Sequence, residues 1–150
     1  MLKKVLTYTN LDGEQTTDTL YFNLTKRDFL KFVSKYTDFT GVNLNDDNAI
    51  ADACRQYVDK IVQNKDLNKI IEFLEDLLLS SYGEKSEDGK HFNKSAKVRE
   101  DFSNSVAYAE IFGDLVTDGD AMTKFLEKVI DVSQATPAMS TAPKPTVIDN

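Results

Sequence analysis

Nucleophilic and acid–base chemistry need a base beside a nucleophile, and this chain has one histidine, His91, and one cysteine, Cys54. His91 stands beside Phe92 in a polar stretch with no carboxylate marked as its partner, so it reads as a solvated loop residue. Cys54 falls on one helical face with Ile50, Tyr57, Val58, Ile61 and Val62 and reads as a small buried hydrophobe rather than a reactive thiol. A lone cysteine makes no internal disulfide, which fits a reducing compartment, and a zinc site of Cys and His is excluded by count. Asn43, Asn45 and Asp47 imitate the opening of a calcium loop. Asn48, however, replaces the required glycine and Cys54 the bidentate acid. No GxxxxGK[ST] or GxGxxG element offers a phosphate cradle, and nothing selects an acid/base pair from the 25 acidic residues. No catalytic residue, metal ligand or cofactor is therefore assigned.

What remains is recognition chemistry. Residues 81–95, SYGEKSEDGKHFNKS, form a polar stretch with two glycines between two apolar helical runs. A connection of this length in a compact helical domain is a candidate functional surface. It carries Tyr82, Lys85, Lys90, Phe92 and Lys94, with Lys97 and Arg99 just beyond, and aromatic and basic residues on one loop are what recognition surfaces favour. Those first five are the predicted partner-binding residues.

The charge around them has the opposite sign. The chain carries −7 with a pI near 4.7, and nineteen acids face eleven bases between Asp46 and Asp131. Such a balance opposes binding to a phosphate backbone, so nucleic acid is not an expected partner. MLKKVLTYTN lacks the apolar region of a signal peptide, and no run approaches the roughly 20 apolar residues of a membrane span. A soluble cytoplasmic protein with no membrane partner is expected.

The elements that would hold this surface follow from pattern. Residues 3–9 and 15–22, rich in threonine, tyrosine, valine and leucine, flank Asn10-Leu11-Asp12-Gly13 and predict a β-hairpin. Thr25 caps a first helix with Asp28 at N3 and with Leu24 and Phe29 at staple positions. Residues 37–47 read as a loop ending in a cap at Asp46 or Asp47, with a helix running to about Asn64. Asp66 caps a third helix whose stripe of Leu67, Ile70, Ile71, Leu74, Leu77 and Leu78 makes it the expected centre of the core. Ser95 caps a further run, broken near Ser103–Ser105, and a last helix follows the TDGD break at 117–120. The expectation is a mainly α domain over 1–131, with hairpin 3–22 packed on a bundle of about five helices at 26–131. Residues 132–150, which hold all three prolines, read as a disordered tail.

Tyr21-Phe22-Asn23-Leu24-Thr25-Lys26 after a DG reversal, then Ser81-Tyr82-Gly83, Lys85-Ser86, Asp88-Gly89-Lys90, Phe92, Lys94-Ser95, and finally Phe102 with Ala107-Tyr108, come in an order that resembles the tail assembly chaperones of long, non-contractile-tailed (siphovirus-type) bacteriophages. The resemblance spans residues 1 to about 130. It departs from the pattern in a longer 37–47 stretch and at His91 and Asn93. It implies a protein of the infected host cytoplasm, absent from the mature virion, that keeps the tape measure protein soluble and gathers tail tube protein around it. It also implies frequent production in two lengths by ribosomal frameshifting. Two rivals stand beside it: an acidic protein that blocks an enzyme by imitating DNA, and a small hydrolase with two converging carboxylates.

Overall fold

Leu2–Thr9 (β1) and Gln15–Phe22 (β2) alternate between a covered and an open side, as a half-buried antiparallel pair must. They pair over their whole length, from Leu2 opposite Phe22 to Thr9 opposite Gln15. Asn10 organises the reversal: its Oδ1 accepts from the amides of Asp12 and Glu14, both at 2.9 Å, while Gly13 takes a φ of 82° that costs glycine no Cβ clash. The computed structural model describes residues 1–130, so the expected tail at 132–150 lies outside the described residues.

Six helices are present among the described residues, and side-chain oxygens cap their starts, those at Thr25, Asp46, Asp66 and Ser95 as the sequence predicts. Thr25 Oγ1 accepts from the Asp28 amide at the head of Lys26–Val33 (α1), and Asp46 Oδ1 accepts from Asn48 and Ala49 at the head of Asp47–Gln63 (α2). Asp66 caps Leu67–Ser81 (α3). Ser95 and Ser105 head Ala96–Ser103 (α4) and Val106–Val116 (α5), and the break between these two raises the helix count above the five expected. Asp118 Oδ1 serves the amides of Asp120 and Ala121 at the start of Gly119–Ile130 (α6). Gly119 lets α6 approach α2 closely, since a Cβ there would stand 3.0 Å from Val62 Cγ1.

The core forms around α3, which packs against α1, α2, α4, α5 and α6. Phe73, Leu74, Leu77 and Leu78 are fully buried, whereas Leu67, expected in the same stripe, is the first residue of the helix and lies 59% exposed. The inner face of the hairpin adds Leu6, Leu20 and Phe22, and burying a leucine or phenylalanine contributes about 1.5–3 kcal/mol each. Cys54 is buried among these residues, and burial pushes its thiol up to about 12, which leaves it the inert hydrophobe expected.

One expectation is corrected. Residues 81–95 were expected to be a connecting loop, yet Tyr82–Lys85 (β3) and Phe92–Asn93 (β4) are strands. Tyr21 pairs with Gly83 and Phe22 with Tyr82, which makes a four-stranded sheet in the order β1-β2-β3-β4. The pairing runs between residues about sixty positions apart in sequence. A short polar strand with a glycine has no alternation of its own and takes its conformation from that distant partner.

Candidate partner-binding surface

Strand β2 presents opposite sides at successive residues, and this divides the predicted surface in two. Phe22 and its partner Tyr82 face inward. The Tyr82 ring stacks on Phe102 at 3.9 Å and 10°, and meets Phe22 edge-on at 5.7 Å. Phe102 continues to Tyr108 at 5.2 Å, and burial together with the nearby Glu75 carboxylate pushes the Tyr108 hydroxyl up to about 12. Tyr82 is thus tied into an aromatic row that fastens the sheet to α4 and α5, and its half-buried hydroxyl is pushed upward by burial.

Tyr21 and Gly83 face the other way. The Phe92 ring lies over Gly83, where a Cβ would fall 2.5 Å from Phe92 Cε2 and 2.9 Å from the Asn93 carbonyl oxygen. Only glycine permits this cover, and the ring in turn protects the bare backbone. Lys85, opposite Phe92 in the register, holds its Nζ 5.8 Å from the centre of the Tyr21 ring. Lys94 Nζ stands at the same 5.8 Å from the Phe92 ring. Tyr21, Lys85, Phe92 and Lys94 therefore form one aromatic and cationic patch on the outer face of the sheet.

Lys90 and His91 lie at the exposed end of this second hairpin, in a turn that is heavily hydrogen-bonded. Ser86 N donates to the His91 carbonyl at 2.9 Å, and Ser86 Oγ donates to Asp88 Oδ1 at 2.6 Å. The amide of Lys90 donates to the same oxygen at 3.0 Å, and that of His91 to Ser86 Oγ at 3.1 Å. These donors hold the Asp88 carboxyl below the usual carboxylate range. Gly89, at φ 74°, closes the turn.

Lys94 anchors the patch to α1. Its Nζ donates to Asp28 Oδ2 at 3.3 Å, with side-chain exposures of 17% for Lys94 and 31% for Asp28. Burial works against the charge on both groups. At Asp28 it is outweighed by the Lys94 ammonium, the Thr25 hydroxyl and Arg27, so its carboxyl lies below the ordinary range. At Lys94 burial wins, aided by Arg99, and the ammonium lies below its ordinary range. The two ends carry opposite signs for stability, so the pair fixes position more than it stabilises.

The structure thus brings together Lys85, Phe92 and Lys94, sets Lys90 at the turn and turns Tyr82 inward. Tyr21, beneath Lys85 in this patch, is not among the residues singled out from the sequence, although Asp-Gly followed by an alternating strand could have placed it on the outer face. On the other side of α1, an apolar groove of about 80 Å³ lies between Leu24, Phe29, Leu30, Ile50 and Ile130, and the Lys26–Asp47 ion pair (2.9 Å) bounds it.

The acid residues that could suggest catalysis or metal binding serve the fold. Asp76 accepts from Tyr36 Oη at 2.7 Å, Ser80 Oγ at 2.9 Å and Lys35 Nζ at 3.1 Å. Arg55 bridges Asp52 and Glu127. Of the calcium-like run, Asn43 Oδ1 accepts from the Asn45 amide and Asp47 pairs with Lys26. No group of three or more His, Cys, Asp or Glu that could hold a metal occurs among the described residues, and no helix there is long and apolar enough to cross a membrane.

A family model described as phage tail assembly chaperone matches residues 1–144. No curated protein and no solved structure matches the chain.

Proposed function

This chain belongs to the phage tail assembly chaperone family, and from that premise we propose that it binds the tape measure protein, keeps it soluble and promotes tail tube assembly around it. The family match over residues 1–144 is the observation that carries this reading. It acts by binding, in the host cytoplasm, and leaves before the virion is complete. The tail tube protein is its second partner.

The contact surface is the outer patch of Tyr21, Lys85, Phe92 and Lys94, with Lys90 at its tip. Two aromatic rings with cations over them suit a client whose apolar segments carry polar neighbours. The net charge of −7 favours a dissolved complex with an aggregation-prone client.

The test is co-expression with the tape measure protein encoded by the same phage. The client should become soluble and co-purify with this chain, and a client that stays insoluble with or without it would refute the reading. Tyr21→Ala with Lys85→Ala should weaken co-purification at an unchanged melting temperature, whereas Phe92→Ala would also uncover Gly83. Tyr82→Ala is not a clean probe, because it would also open the stack on Phe102.

A further inference from the structure

Behind Lys94, away from the outer patch, a cleft of about 260 Å³ opens between α1, the end of α3 and the start of α4. Leu24 and Phe32 give it an apolar floor, and Lys31, Lys35, Lys94 and Arg99 line it against a single acid, Asp28. Asp28 is spent on Lys94, and Lys35 is held by Asp76 at 3.1 Å. Lys31 and Arg99 have no ion-pair partner among the described residues. Four cations around one concavity run against the sign of a chain that carries −7. Lys94 is held there although burial and Arg99 both oppose its charge.

We propose that this cleft binds a carboxylate side chain of a partner's acidic and apolar peptide segment, with Arg99 and Lys31 taking the carboxylate and Leu24 and Phe32 taking the adjoining apolar group. The volume suits one or two side chains, and guanidinium is the group best shaped to grip a carboxylate through two parallel hydrogen bonds. A nucleic-acid strand fits poorly. Glu72, Glu75 and Asp76 line the neighbouring cleft, which shares Lys35, and would repel successive phosphates. A second copy fits poorly as well, since both copies carry the same −7. The proposal rests on the chaperone reading for its partner, the tape measure protein, and makes the bound stretch of that client acidic.

The probe is a fluorescein-labelled eight-residue peptide of alternating glutamate and leucine, titrated by anisotropy into the full chain at low salt. Lys31→Glu/Arg99→Glu should weaken binding about tenfold or more, a loss of roughly 1.4 kcal/mol or more from removing charged contacts. A glutamine-for-glutamate peptide should bind at least as weakly, and raised salt should lower affinity for the glutamate peptide alone. Both substituted residues are exposed, and an unchanged melting temperature confirms that folding is intact; if it falls, Lys31→Gln/Arg99→Gln replaces the reversal. Equal binding of the two peptides, or by the variant, overturns the cleft.

Client co-purification separates this outcome from the parent reading. A client that binds the wild type and the reversed variant equally overturns the cleft and leaves the chaperone role standing. A client that binds neither refutes the chaperone role, while the peptide titration still decides the cleft. Sedimentation of the chain alone supplies the last arm. A dimer abolished by Lys31→Glu/Arg99→Glu and restored by mixing that variant with Glu72→Lys/Glu75→Lys would assign the cleft to a second copy and overturn the partner proposal.

Discussion

The two hairpins of this sheet are built by different means. The first pairs eight residues on each strand, is closed by its own Asn10 and Gly13, and adds a Thr7–Thr17 contact at 3.0 Å and a Tyr8–Asp18 hydrogen bond at 2.5 Å across its strands. The second pairs only Glu84 with Asn93 and Lys85 with Phe92. It depends on the first, because β3 is aligned by Tyr21 and Phe22. The turn and cross-strand contacts of the first hairpin all lie within residues 2–22, whereas the second is aligned on β2 by residues that follow α3. The dependent hairpin is also the one that carries most of the candidate binding groups, a common division between rigid scaffold and functional appendage.

Removing the residue that both hairpins share should break the arrangement most severely. Phe22 is fully buried and meets the rings of Tyr82, Phe102 and Phe125 at 5.7, 5.9 and 5.1 Å. Phe22→Ala should cost about 3–5 kcal/mol in chemical denaturation, the usual cost of deleting a buried phenylalanine. A loss below about 1 kcal/mol would mean that the aromatic row does not hold the sheet to the helices.

A smaller change should separate the hairpins. Gly83→Ala places a methyl group where the Phe92 ring and the Asn93 carbonyl already stand, so β4 must move off β3. The expected loss is about 1–3 kcal/mol, within the range for overpacking. Hydrogen exchange should locate it: amides of residues 83–93 should lose protection while β1 stays protected. Equal loss in both hairpins would show that the second is no appendage.

The same difference explains what the sequence made legible. Alternation in β1 and β2, the caps at Thr25, Asp46, Asp66 and Ser95 and the apolar stripe of α3 are local signals, and they predicted the first hairpin, four helix starts and the centre of the core. The break at Ser103–Ser105 was also visible, since serine beside asparagine offers a stop and a new cap. β3 and β4 were not visible, because Gly83, Glu84 and Lys85 carry no strand preference and pair with residues far off in sequence. The candidate residues were therefore read as a composition on one stretch and not sorted by face. Tyr82 entered the set although its ring serves the core, and Tyr21 stayed out although it lies beneath Lys85.

The mildest test concerns the tether between the second hairpin and α1. Asp28→Asn removes the carboxylate that positions Lys94 and leaves a half-buried ammonium beside Arg99. Because the group is partly exposed and screened, the cost at neutral pH should be only about 1 kcal/mol. Its sign with pH follows from the Asp28 carboxyl, whose folded-state value is depressed. Its contribution is fully present above the unfolded value, near 4, and disappears as pH falls through the folded one. The stability gap between wild type and Asp28→Asn should therefore be constant from neutral pH down to about 5 and close at lower pH. Lys94→Met should shrink the gap, because the ammonium is the strongest of the groups that hold Asp28 charged and only Thr25 and Arg27 then remain. A gap undiminished in the Lys94→Met background would assign the role of Asp28 to Thr25 and the head of α1, leaving the second hairpin held by its pairing with β2, the Tyr82 stack and the Phe92 cover of Gly83.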